Sequence, residues 1–360
     1  MVKARSRAVG ILAGDGDCPG LSDVLRGATR AGLQFGWDVY AIDDGFDGLL
    51  RKKVRRLGRH DLQGPILNGT RFGSSGRVNP FESLTRKGRA VIETDRSAEV
   101  VRNVHALGLA GVIAVGGENT LRTAERFHRK GLSIVGVPQA IENDIPSTAL
   151  TFGFDTAVAT ASTALEKLNP TADAAKRITV AEVLGRGAGW LALHTGLASN
   201  VDVILVPEIP FSAESVCESI RARERAGQES CVVLVAEGAT LIKGAAPRPT
   251  KETRSDTADG IGAWLAAELT RRGKKDVRAL ALGPLQRGGA PTGFDRFLGT
   301  RFGTAAMRLV DEGLFGNMVA FKPPSVVPVP LHQVVNRVRP VPLDSDILRS
   351  ARDLGIGFGD

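Results

Sequence analysis

The chain has 360 residues, 42% of them hydrophobic, enough apolar material for two packed domains. Forty-three glycines against 5% aromatic residues favour tight turns and close backbone approaches, not the stacking platforms of single-strand nucleic-acid binders. The net charge of +8 has its densest source in Arg51, Lys52, Lys53, Arg55, Arg56 and Arg59, which follow Asp43, Asp44 and Asp47 without interleaved aromatics and read as a solvated face.

Cys18, Cys217 and Cys231 are widely spaced and form no CxxC, which argues against a disulfide framework or a zinc site. His60, His105, His128, His194 and His332 show no ligand spacing. The N-terminus runs straight into a strand-like segment and no apolar run reaches membrane-spanning length, so the expectation is a cytoplasmic protein without nucleic-acid or membrane partners.

Short apolar runs recur along the chain at 8–13, 112–115, 133–137, 178–183, 203–206, 232–236 and 279–282. Between many of them lie stretches of helical spacing, among them 21–35, 121–127 and 261–269. Strands alternating with helices predict an α/β fold, doubly wound, with parallel sheets covered on both faces. In such sheets ligands collect beyond the carboxyl ends of the strands, so the chemistry is expected just after the apolar runs.

After the first run stands Gly14-Asp15-Gly16-Asp17-Cys18-Pro19-Gly20-Leu21-Ser22. Backbone amides at such a turn can cradle phosphate because no Cβ blocks the approach; a plain strand-to-helix connection is the competing reading. No GKT or GKS pair follows, so this is not a Walker A loop. The next run ends in Gly116-Gly117-Glu118-Asn119-Thr120, where Asn119 or Thr120 is available to cap a helix. Glu118 fits two roles there, a magnesium ligand against donor phosphates or a first-turn acid complementing the helix dipole.

Residues 133–137 lead into Pro138-Gln139-Ala140-Ile141-Glu142-Asn143-Asp144. Two carboxylates two residues apart at a strand end can divide phosphoryl transfer, one taking the hydroxyl proton and the other handling metal or charge; a solvated acidic turn is the alternative. Further on, Arg177 opens a predicted strand and Arg186 closes it, while Arg278 and Arg287 flank another, near Gly185, Gly288 and Gly289. Each is an ordinary surface cation taken singly. Together they suggest a convergent phosphate site, for which the planar guanidinium is well suited.

In order and over nearly the whole chain these segments resemble the phosphofructokinase family. Gly14 to Ser22 resembles its GGDxPGxN loop, Gly73-Ser74-Ser75-Gly76-Arg77 its GSxR segment with one extra residue, and Gly116 to Thr120 its GGDGS or GGEGT segment. Pro138 to Asp144 resembles PxTIDND, Glu182 to Arg186 EVMGR, and Val235-Ala236-Glu237-Gly238 the ITEG strand end. Arg278 to Arg296 resembles the signature R-x4-GHxQRGG-x5-DR.

The resemblance implies two doubly wound, Rossmann-like domains with mainly parallel sheets around a cleft. A phosphoryl-donor domain would span 1–153 plus 286–330, and a sugar-phosphate domain 154–285 plus 331–360. It implies a Mg2+-dependent kinase that moves a phosphoryl group from ATP or pyrophosphate to the 1-hydroxyl of fructose 6-phosphate. By resemblance Glu142 activates the acceptor, Asp144 and Arg186 work at the transferred group, and Glu118 is the metal-side acid. Gly16, Arg77, Gly117, Asn119 and Thr120 would meet the donor. Ala140, Arg177, Gly185, Glu237, Arg278, Pro284 and Arg287 would meet the sugar phosphate, some of the arginines across a subunit boundary, hence a homodimer or homotetramer.

The departures from the pattern concern the site itself. Glu142 stands where the family has aspartate, Ala140 where it has threonine, Pro284 where it has histidine, and Asp15 in place of a phosphate-loop glycine. Asn119 lies where ATP users carry glycine and pyrophosphate users aspartate, and Gln139 matches neither class. These leave open a paralogue acting on another sugar phosphate, or a weakened binding protein with regulatory use.

Overall fold

The structure is a computed structural model that describes residues 7–15, 18–62, 79–87, 90–242, 260–273 and 276–360. In chain order its elements are β1 (Arg7–Ala13), α1 (Leu21–Gln34), β2 (Trp37–Ile42), α2 (Gly45–Arg51), β3 (Val54–Leu57), β4 (Ser83–Lys87), β5 (Ala90–Thr94), α3 (Ser97–Ala106), β6 (Leu109–Gly116), α4 (Glu118–Arg129) and β7 (Ile134–Pro138). There follow α5 (Phe154–Ala174), β8 (Ile178–Val183), α6 (Trp190–Ala198), β9 (Val203–Leu205), α7 (Ala213–Arg225), β10 (Cys231–Ala236), α8 (Ile261–Arg271), β11 (Val277–Ala281) and α9 (Gly283–Gln286). The chain closes with α10 (Gly293–Asp311), β12 (Asn317–Lys322), β13 (Ser325–Pro330) and α11 (Asp346–Asp353).

It divides into two units, 1–140 with 145–153 and 290–337, and 141–144 with 154–289 and 338–360. The expected division differs in three places: residues 141–144 and 286–289 fall in the second unit, and 331–337 in the first. The first difference matters chemically, because it puts Glu142 and Asp144 in the same unit as Gly185, Arg186 and Glu237.

Among the described residues the first unit holds a seven-stranded sheet in the order β13-β12-β7-β6-β1-β2-β3. Its centre is parallel and its two edges, β3 on β2 and β13 on β12, are antiparallel. Val112, Ile113, Ala114 and Val115 of β6 are all fully buried, as expected of a central strand covered on both faces. The order reverses between β1 and β6, so the loops after these two strands meet at a topological switch point, the usual ligand end of such a sheet.

The second unit holds a parallel sheet ordered β11-β8-β10-β9. Successive side chains of a strand point to opposite faces, and β10 divides accordingly: Val232, Leu234 and Ala236 pack into one core, Cys231, Val233 and Val235 into the other. In register, Ala236 lies beside Val183 and Ala281 beside Glu182. That alignment brings the loops after β8, β10 and β11 together at the carboxyl edge.

The basic stretch lies against acids: Arg51 pairs with Asp47 at 2.8 Å, Lys53 with Asp44 at 2.7 Å, Arg55 with Asp61 at 3.2 Å, and Arg56 with Asp38. Among the described residues no helix is long and apolar enough to cross a membrane.

Candidate active site

In the first unit, β1 ends at Ala13 and Gly14 donates its N–H to the Val115 carbonyl at 2.9 Å, so the two glycine loops start side by side. Gly117 is the N-cap of α4 and supplies no side chain, and neither Asn119 nor Thr120 serves as the expected cap. The cap comes from the other loop. Asp15 accepts from the Gly117 N–H at 2.6 Å and from the Thr120 hydroxyl at 2.8 Å, its Oδ2 taking both. The helix start draws in an anion because its first N–H groups lack helical partners, and here a carboxylate of the chain meets that need.

Glu118 opens α4 and accepts from the Asn336 N–H at 3.2 Å while Arg122 stands 3.4 Å away. Asn119 is exposed and its side-chain carbonyl accepts from Arg122. Ala140 uses its carbonyl to accept from the Thr151 hydroxyl. Gly16 and Arg77 lie outside the described residues. Among the described residues no group of three or more His, Cys, Asp or Glu is assembled for a metal. The Glu118 carboxylate at the start of α4 is a single hard oxygen donor, which fits an ion such as magnesium carried in on phosphate oxygens.

In the second unit the carboxyl edge of the sheet gathers the candidates. Gly185 adopts φ +140°, and a Cβ there would stand 2.9 Å from the Ala188 carbonyl. Opposite it, Gly238 donates to the Gly185 carbonyl at 3.0 Å, and a Cβ on Gly238 would fall 2.1 Å from the Arg186 carbonyl. Glycine at 238 is what lets the two loops touch, while glycine at 185 lets its own loop take the left-handed turn past Ala188. This contact sets the position of the Arg186 peptide, whose N–H donates to Glu142 Oε2 at 3.0 Å.

The Arg186 guanidinium is largely exposed and donates from Nε to Glu237 Oε1 at 2.7 Å. Burial raises the proton affinity of Glu142 above the usual carboxylate range; the Arg186 N–H works against that rise, the charges of Asp144 and Glu237 add to it, and the Arg186 charge opposes it. A carboxylate disposed this way can accept a proton near neutral pH more readily than an ordinary glutamate. Pro284 sits in the first turn of α9, where a missing N–H costs nothing, and Arg287 is its exposed C-cap. Buried Gln286 accepts the Leu184 N–H at 3.0 Å, tying α9 to the loop that carries Arg186.

The four arginines do not converge within this unit. Arg177 precedes β8 and Arg278 is the second residue of β11, so both lie at the amino edge of the sheet, where they share Asp276 at 2.9 and 3.1 Å. Six residues of β8 separate that edge from Gly185, roughly 20 Å at the usual rise of a strand. The sequence already has Arg177 opening a strand and Arg186 closing it; the expected convergence fails because β8 and β11 run parallel, which puts the starts of both strands at one edge. Sequence reasoning also passed over Asp15 as a cap and Gln286 as a tie, though Gln286 lies in the signature itself.

The family model described as Phosphofructokinase matches residues 8–310. The chain is 41% identical over 364 residues to the ATP-dependent 6-phosphofructokinase of Chloroflexus aurantiacus, covering 99% of both chains. It is also 41% identical over 340 residues to the pyrophosphate–fructose 6-phosphate 1-phosphotransferase of Amycolatopsis methanolica, covering 93% of this chain and 96% of that one. Among solved structures, Pichia pastoris phosphofructokinase superposes with a TM-score of 0.80 at 27% identity over 92% of this chain, which spans only 35% of that longer one. By class, then, this is an α/β phosphotransferase. The chain belongs to the phosphofructokinase family.

Proposed function

We propose that this chain is a 6-phosphofructokinase in which Glu142 removes the proton from the 1-hydroxyl of fructose 6-phosphate as that oxygen attacks the donor's terminal phosphoryl group. The observation that carries the reading is the Glu142 carboxylate, aligned by the Arg186 N–H and raised in proton affinity by burial. Glutamate in place of aspartate is accommodated because the second oxygen of the longer side chain is fixed by a backbone donor. Asp144 and Arg186 stand in this reading at the transferred group. Gly185, Glu237, Ala140, Pro284 and Arg287 belong to the sugar-phosphate pocket.

On the donor side Gly117, Glu118, Asn119 and Thr120, with Gly16 and Arg77, would receive the phosphates. Glu118 would hold a magnesium ion that neutralises phosphate charge when bound. The Asn119 side chain extends from the start of α4, where an ATP user has glycine. Asn119→Gly is accordingly expected to lower the Michaelis constant for ATP about tenfold and leave a pyrophosphate reaction unchanged or worse, as steady-state kinetics with each donor would register.

Arg177 and Arg278, at the far edge of their own sheet, are proposed to serve the sugar-phosphate site of another subunit in a homodimer or homotetramer, and a cytoplasmic setting completes the reading. The alternatives of a different acceptor and of a decayed binding protein are not favoured, since relatives at 41% identity over nearly the whole chain carry 6-phosphofructokinase names. Phosphorus NMR of the protein with magnesium, fructose 6-phosphate and either ATP or pyrophosphate tests activity and donor together. Absence of fructose 1,6-bisphosphate with both donors would overturn the assignment.

A further inference from the structure

The loop carrying Glu142 and Asp144 is connected to the loop carrying Arg186 by more than the Arg186 N–H. Arg339, from the C-terminal segment Val338–Asp360, spans the two. Its Nε and Nη2 donate to the Asn143 carbonyl at 3.2 and 2.9 Å, and its own N–H donates to the Asp144 carbonyl at 2.8 Å. On the other side its carbonyl accepts the Trp190 indole N–H at 2.9 Å, and its guanidinium lies over the Trp190 ring at 4.4 Å from the centroid. Trp190 opens α6, four residues after Arg186.

A second tie runs parallel to the first. Glu208 accepts from the Gly189 N–H at 3.0 Å and from the Val341 N–H at 2.8 Å, so the start of α6 and the C-terminal segment share one carboxylate. Between these ties lies Asn143, which is almost fully buried and holds φ +53°, a conformation asparagine tolerates better than most residues but one that needs outside support.

We propose that Arg339 is a positioning residue for phosphoryl transfer, a C-terminal clamp that fixes the 141–144 loop against the loop ending in Arg186 so that the Glu142 carboxylate stays on the Arg186 N–H. The inference rests on the reading of Glu142 as the proton acceptor. Burial pulls the Arg339 proton affinity down to about 10, with the charge of Asp144 drawing it back up, so the guanidinium remains charged at neutral pH. Its planar fork engages a single carbonyl oxygen while its face covers an indole, a combination the round ammonium of lysine reproduces only in part. A displacement near 1 Å at a reacting group costs roughly 100-fold in rate, so a clamp of this kind should act on turnover and not on sugar-phosphate affinity.

The test compares Arg339→Met and Arg339→Lys with the parent in steady-state kinetics, in equilibrium binding of fructose 6-phosphate without donor, and in amide exchange at Arg186. Arg339→Met keeps the apolar stem over Trp190 and loses the fork. Its kcat is expected to fall about 30-fold or more, with the Michaelis constant and the binding of fructose 6-phosphate within threefold of the parent, and the Arg186 N–H should exchange faster. Arg339→Lys should recover part of the kcat. A folded Arg339→Met with kcat within twofold of the parent overturns the proposal, as does a loss of sugar-phosphate binding in step with kcat. Should Arg339→Met fail to fold, Arg339→Lys decides by the same criterion: a kcat at least tenfold below the parent with binding retained supports the clamp, and anything less overturns it. If the parent itself proves inactive with both donors, the function assignment fails, while unchanged or faster exchange at Arg186 still decides the clamp.

Discussion

The two ends of the second unit's sheet carry the same residue types in different states. At the carboxyl edge, Gly238 lets two loops come into contact, Arg186 is paired to Glu237, and Glu142 is partly buried with its proton affinity raised. At the amino edge, Arg177 and Arg278 share the exposed carboxylate of Asp276, whose proton affinity is lowered chiefly by its hydrogen bond to Arg177. Exposed pairs of this sort are screened by solvent and contribute little to folding. The contrast is between a carboxylate held by a backbone donor and one shared by two side-chain cations.

The largest effect expected is that of Glu142→Gln, which keeps the hydrogen bond from Arg186 but cannot take a proton. Turnover should fall by roughly 100- to 10,000-fold, with fructose 6-phosphate binding by calorimetry largely intact. Equal turnover by variant and parent would remove Glu142 from the chemistry and erase the distinction between the edges.

Next in size is Gly238→Ala. Its new methyl would overlap the Arg186 carbonyl, so the loop must retreat and carry the Arg186 N–H away from Glu142. A fall in kcat on the order of 100-fold is expected in protein that still melts cooperatively. An unaffected rate would mean that the contact between the loops is incidental to the site.

Arg278→Ala tests the amino edge. The Michaelis constant for fructose 6-phosphate should rise by about tenfold with kcat changed little, the loss of one phosphate contact. Mixed and reassembled with Glu142→Gln subunits and assayed at fructose 6-phosphate well below its raised Michaelis constant, it should yield activity above that of either variant alone, because some sites then combine an intact Glu142 with an intact Arg278 from a neighbour. No recovery in assembled mixtures would show that the amino-edge arginines do not act across a subunit boundary.

The smallest effect is a pH shift. Glu142 works deprotonated, so activity should be lost as pH falls through its raised pKa, placing the acid limb of kcat above that of an ordinary glutamate. Removing the negative charge of Glu237 by Glu237→Gln relieves repulsion and leaves Arg186 free to favour the Glu142 carboxylate. Both changes lower the Glu142 pKa, so the acid limb should move to lower pH. A limb that stays put would indicate that the Glu237 and Arg186 charges do not act on Glu142, and one that rises would contradict the expected sign.

Much of the fold was legible from local pattern. The apolar runs at 8–13, 178–183 and 232–236 are strands because continuous apolar stretches bounded by glycine or acid can be buried on both faces, and they stand as β1, β8 and β10. β2 escaped notice because Asp38 and Tyr40 interrupt its apolar run, and the antiparallel β12 and β13 lie outside the alternation of strand and helix that guided the reading. At the site, the sequence singled out strand ends and residue types suited to phosphate chemistry, and the resemblance implied roles for them.

Only the tertiary structure decided which of those residues meet. The parallel pairing of β8, β10 and β11 gathers Arg177 and Arg278 at one edge of the sheet and Arg186 and Glu237 at the other. Asp15, which stands in place of a phosphate-loop glycine, caps α4 from a loop more than 100 residues away, and Arg339 reaches Asn143 across 196 positions. Composition and periodicity report what a residue can do with its near neighbours along the chain. Proton affinity, capping and alignment depend on burial and on partners brought close through space, and those arise only when each unit has folded.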